Sequence, residues 1–129
     1  MFEKILVPLD GSEYSWRALE KAVQVSRRFG GKITLIHVYP DSIFFEEMRK
    51  SGEDILAVGE KRAKTEGVEV ESLLLAGHPV EEILRTSREG YFDLIILGSR
   101  GVSRIKELLI GSVTSGVTKH APCSVLVAK

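Results

Sequence analysis

Asp93-Leu94-Ile95-Ile96-Leu97-Gly98-Ser99-Arg100-Gly101 is the stretch that decides the fold. Four consecutive aliphatic residues, without the alternation of a half-exposed strand, read as a strand buried on both faces. Gly98 and Gly101 end it, and Gly111-Ser112 follows after nine residues. Glycine lets the backbone approach anionic oxygens and reach positive φ at little steric cost. A helix that starts there adds N–H groups without an intrahelical partner and the positive end of its dipole. A buried strand followed by small turns is therefore suited to gripping a phosphate chain. No Gly-Lys-Ser/Thr follows, so this is not a Walker loop, and the G-x-G-x-x-G dinucleotide spacing is absent.

The rest of the chain repeats the alternation of strand and helix. Lys4 to Leu9 is a short apolar strand that ends at Asp10-Gly11-Ser12. Residues 13–29 carry Leu19, Ala22, Val23, Ser26 and Phe29 at helical spacing, and Gly30-Gly31 stops that helix. Ile33 to Val38 is a second strand, broken by Tyr39-Pro40-Asp41. A charged helix over about 43–66 places Phe45, Met48, Ile55, Leu56 and Ala63 on its inner stripe, with Gly52 and Gly59 as points of weakness. Val68 to Leu75 is a third strand. Pro79 opens a helix that buries Val80, Ile83, Leu84 and Ser87. After strand four, residues 102–120 read as helix with Val102, Ile105, Leu108/Leu109, Val113 and Val117 in register, and Ser124 to Val127 is the last strand. In this reading Gly111 interrupts a helix, at about 1 kcal/mol relative to alanine.

The order βαβαβαβαβ with non-alternating strands predicts an open, doubly wound α/β fold, its parallel sheet covered by helices on both faces. At 129 residues the chain is read as a single domain, 1–129. The formal net charge is zero, which argues against a general nucleic-acid binder. No apolar run approaches a membrane span, and no signal peptide precedes the first strand, so the expected location is cytoplasmic. The single Cys123 excludes an internal disulfide and reads as a small buried hydrophobe. His37, His78 and His120 lack metal-ligand spacing, and Tyr14 and Trp16 read as packing or surface residues.

The G-2x-G-9x-G-S spacing, with Val7-Pro8-Leu9-Asp10-Gly11-Ser12 near the start and the closing run from His120 to Val127, resembles the universal stress protein family over nearly the whole chain. The glycine spacing marks the ATP-binding branch of that family; the opening and closing motifs are shared with members that do not bind ATP. The resemblance implies strand order 3-2-1-4-5. Strands 1 and 4 then lie side by side, and a crevice opens where their helices part. It also implies antiparallel pairing of last strands, Cys123 to Ala128, in a homodimer.

The candidate phosphate grip is Gly98, Gly101, Gly111 and Ser112, with Ser99, Arg100, Val113 and Thr114 as neighbours of the ligand by resemblance. Arg100 reads equally as a phosphate partner and as a solvated loop arginine. Asp10 is the carboxylate expected in the crevice, on ribose hydroxyls or a metal ion, with helix capping as its plainer role. Pro8 and Val38 match family positions that flank adenine. The resulting expectation is a regulatory module that binds ATP with Mg²⁺ or Mn²⁺ and hydrolyses it slowly at most. Three alternatives stay open: a weak ATPase or nucleotidyl transferase, a phosphoacceptor switch using Asp10, and a protein-interaction module without nucleotide. The chain departs from the family in the short, charged segment 40–66, which leaves the openness of the pocket undecided.

Overall fold

The computed structural model describes residues 1–101 and 110–129. Strands β1 (Lys4–Pro8), β2 (Lys32–Tyr39), β3 (Val70–Ala76), β4 (Leu94–Gly98) and β5 (Ser124–Ala128) alternate with helices α1 (Glu13–Phe29), α2 (Phe45–Thr65), α3 (Pro79–Glu89) and α4 (Ser112–His120). All strand pairs are parallel and the sheet order is β3-β2-β1-β4-β5. The doubly wound fold and the order 3-2-1-4-5 are therefore as expected. Val102, Ile105, Leu108 and Leu109, expected in helical register, lie outside the described residues.

Two cores follow from the order. On one face, Ala18, Leu19, Ala22 and Val23 of α1 and Leu56 and Ala63 of α2 pack on Ile5, Val7, Ile33, Leu35, Leu94 and Ile96. On the other, Ile83 of α3 and Val117 of α4 pack on Leu6, Ile36, Ile95 and Leu97. Alternate residues of β1, β2 and β4 feed opposite cores, which is why their sequences are continuously apolar. A right-handed crossover requires the helices to change faces when the sheet starts to grow the other way. That change falls between β1 and β4.

Helix α1 has a full set of end signals. The Ser12 side chain accepts from the Ser15 N–H at 3.2 Å, and Gly30 closes the helix at φ 81° with its N–H on the Ser26 carbonyl. Phe29, expected on the inner face, is 48% exposed and stands edge-on to Phe2. Helix α2 corrects a larger expectation. Its buried residues are Gly52, Leu56, Gly59 and Ala63, whereas Met48 is exposed and Phe45 leans on Tyr39. The glycines are not weak points but the seat of the helix. A Cβ on Gly52 would stand 2.5 Å from His37 Cδ2, and one on Gly59 2.7 Å from Leu9 Cδ1. Bare backbone lets α2 settle on the sheet, and the stripe shifts accordingly.

Gly98 ends β4 directly beneath the first turn of α1. A Cβ there would lie 2.7 Å from both the carbonyl carbon and the oxygen of Tyr14, a backbone contact that no rotamer can relieve. Gly98→Ala is expected to destabilise the fold by about 2–3 kcal/mol, seen as a lower urea midpoint at unchanged slope. A loss below about 0.5 kcal/mol would show that α1 moves away freely.

Cys123 is half-buried ahead of β5 and packs against the second core. Burial pushes its thiol above the ordinary value, and the Asp93 carboxylate adds to the shift. A raised pKa means less thiolate at neutral pH. Iodoacetamide should therefore label Cys123 more slowly than a small free thiol at pH 7.5, with the rate still climbing above the ordinary thiol pKa. Rapid neutral-pH labelling would contradict this account.

Candidate functional site

At the carboxyl edge of the sheet, where α1 and α4 leave on opposite faces, lies a cleft of about 470 Å³. Apolar side chains from six elements and the loops between them line it, among them Pro8, Val38, Pro40, Met48, Ile55 and Ile83. Ten of the eleven sequence-predicted residues border it: Pro8, Asp10, Val38, Gly98, Arg100, Gly101, Gly111, Ser112, Val113 and Thr114. Ser99 does not. It is 3% exposed, and its backbone is bonded on both sides, N–H to the Ala128 carbonyl and C=O from the Gly111 N–H, each at 2.7 Å.

Those bonds define the neck of the glycine loop. Ser99 is anchored to the end of β5, and Gly111 is anchored to Ser99. The buried Thr114 hydroxyl donates to the Gly98 carbonyl at 2.6 Å, tying the first turn of α4 to the end of β4. The two sides of the loop are thus fixed by the protein itself. Thr114 Oγ1 is committed to this fastening, and its backbone N–H is what faces the helix start.

Gly111 has a different role from the one its spacing suggests. It is not inside a helix; it is the N-cap of α4, at φ −72° and ψ 163°. Any residue adopts those angles, so the absence of a side chain is the informative point. Serine, threonine or aspartate at an N-cap would accept a hydrogen bond from the next turn. Gly111 makes no such bond. The N–H groups of Ser112, Val113 and Thr114 therefore open the helix without a side-chain acceptor from the cap. Helix α1, whose start also lies at the switch point, is closed by Ser12.

Asp10 divides its carboxylate between turn and cleft. Oδ1 accepts from the Ser12 N–H at 2.9 Å and holds the turn into α1. Oδ2 lies on the Gly101 side, where a Cβ would approach it to 2.4 Å. Arg100, across the same opening, donates from Nη2 to the Tyr14 hydroxyl at 2.5 Å.

Sequence reasoning tied segment 40–66 to the openness of the pocket but named no residue of the α2 and α3 walls. Met48, Ser51 and Ile55 recur on one helical face and border the cleft, as do Pro79 and Ile83. The 3–4 spacing showed the face of α2 but not what it faces. His37 was also passed over. Its Nδ1 lies 2.7 Å from the Leu9 carbonyl, which only accepts, so Nδ1 carries a proton and donates it to that carbonyl. No trio of His, Cys, Asp or Glu able to hold a metal ion occurs among the described residues, and no described helix is long and apolar enough to cross a membrane.

Comparison with known proteins agrees with the geometry. Universal stress protein YxiE of Bacillus subtilis is 32% identical, and the alignment spans all of both chains. The structure of MJ0577 superposes with a TM-score of 0.92 at 29% identity, over all of this chain and 96% of that one. A universal stress protein crystallised in complex with cAMP superposes at 0.82 and 26% identity, over 98% of this chain and 97% of its own. The model of the universal stress protein family matches residues 1–129, and the chain belongs to that family.

Proposed function

We propose that this protein is a regulatory nucleotide-binding module that takes ATP, accompanied by Mg²⁺ or Mn²⁺, in the cleft at the β1–β4 switch point. The observation that carries the reading is the uncapped start of α4 at the polar end of an otherwise apolar cleft. A base and a triphosphate need those two environments side by side. Pro8 and Val38 supply apolar surface for a purine. The N–H groups of Ser112, Val113 and Thr114, together with Gly101 and Arg100, supply the anion-binding end. Gly98 and Ser99 shape the floor beneath it. A related structure, 26% identical, is of a universal stress protein in complex with cAMP, a nucleotide with the same base and sugar.

Asp10 is the carboxylate in reach of ribose hydroxyls or of a cation carried by the phosphates. Such an ion would be held mainly by phosphate oxygens and water, as Mg²⁺ commonly is. Hydrolysis is slow at most, because positioning and charge neutralisation are present without a placed base other than Asp10. The cleft then serves occupancy rather than turnover.

Calorimetry with ATP and Mg²⁺ tests the reading, on the wild type and on Gly111→Asp. At the N-cap an aspartate carboxylate takes the N–H groups that the phosphates would use, and places a like charge beside them. The new Cβ would lie 3.2 Å from Arg100 Cα, so circular dichroism must confirm the fold. Micromolar binding by the wild type and at least about a hundredfold loss in the folded variant is the expected result, about 2.7 kcal/mol. Equal binding by both would remove α4 from the site, and no binding by the wild type would remove the nucleotide.

Strand β5 lies at the edge of the sheet with Val125, Leu126 and Val127 only half-buried. An edge of this kind is open to pairing. The proposed assembly is a homodimer through Cys123 to Ala128. Light scattering at micromolar concentration should give twice the chain mass of 14.3 kDa; a monomer would end this part of the proposal.

A further inference from the structure

Tyr14 is the second residue of α1 and does not border the cleft, yet it holds a residue that does. Its backbone is seated against Gly98, so the ring stands at a fixed point beside the end of β4. Its hydroxyl oxygen accepts from Arg100 Nη2 at 2.5 Å, and the Arg100 guanidinium carbon lies 4.9 Å from the ring centroid. Arg17 approaches the same ring at 5.0 Å while paired with Glu13 at 2.6 Å, so its charge is already matched on α1. A hydrogen bond and a ring contact from Tyr14 thus both bear on the Arg100 guanidinium across 86 residues of sequence.

We propose that Tyr14 is a positioning residue for the anionic part of the ligand, acting through Arg100. An arginine recognises phosphate by its planar fork, and the long stem loses rotamer freedom when the fork is aligned. A ring and a hydroxyl on a rigid helix start take up part of that loss before the ligand arrives. The same surroundings set a limit on the role. Tyr14 does not itself line the cleft, so its influence falls on phosphate affinity through Arg100 and not on the base. The inference rests on the nucleotide reading above and names a determinant of that same site.

The test is calorimetry with ATP and with adenosine on the wild type, Tyr14→Phe, Arg100→Gln and the double variant. Tyr14→Phe keeps the ring and removes only the hydroxyl. It should weaken ATP binding about three- to tenfold, the range of one hydrogen bond, and leave adenosine binding unchanged. In the Arg100→Gln background the same substitution should have no effect, which a general loss of packing would not reproduce. Unchanged ATP affinity in Tyr14→Phe, tighter binding, equal loss for adenosine, or additive losses in the double variant would each overturn the role of Tyr14 while leaving nucleotide binding intact. A wild type that binds no nucleotide would overturn both. Where adenosine binds too weakly to measure, the double-mutant cycle with ATP still decides.

Discussion

The handedness of the crossover connection is the constraint on which the rest depends. Two strands are added on one side of β1 and two on the other, and each parallel connection must be right-handed. The helices consequently change faces between β1 and β4. The crevice is a by-product of that change, present whatever its lining residues are. The candidate residues lie where the scaffold had already made room, with Asp10 following β1, Val38 near the end of β2 and the glycine turn leaving β4.

Gly52, Gly59, Gly98 and Gly111 do three separate structural jobs. Gly98 allows two backbones to touch, and Gly52 and Gly59 let a helix lie low on a sheet. Gly111 withholds a cap. The distinction matters because a glycine pattern invites one explanation for all its members. The loop neck, pinned from Ser99 to Ala128 and from Gly111 to Ser99, keeps these jobs independent. The floor of the candidate site is held by the sheet.

Much of this was legible in the residues. The continuous apolar runs of β1, β2 and β4 announced burial on both faces, and Ser12, Gly30 and Pro79 marked helix ends where they occur. Three distant stretches were expected to converge, and they border one cleft. Where the reading failed, the reason is physical. The stripe of α2 was sought among large apolar residues, but two glycines bring its backbone onto the sheet, and Met48 stays exposed at the rim of the cleft. The start of α4 at Ser112 was hidden because Val113 and Val117 continue an apolar period from residues ahead of it. Pairings such as Arg100 with Tyr14 leave no periodic trace, since they join residues that only the sheet order brings together.

The low seat of α2 bears on how the molecule breathes. Helix α1 buries four aliphatic side chains, whereas α2 buries Leu56, Ala63 and two glycines. The hydrophobic free energy that holds α2 down is correspondingly smaller, at about 25 cal/mol for each Å² removed from water. Sub-global opening follows the weakest-held unit, which places α2 below α1 in the hierarchy of local unfolding and hydrogen exchange. Met48, Ser51 and Ile55 form one wall of the cleft, so local opening of α2 widens the cleft on that side.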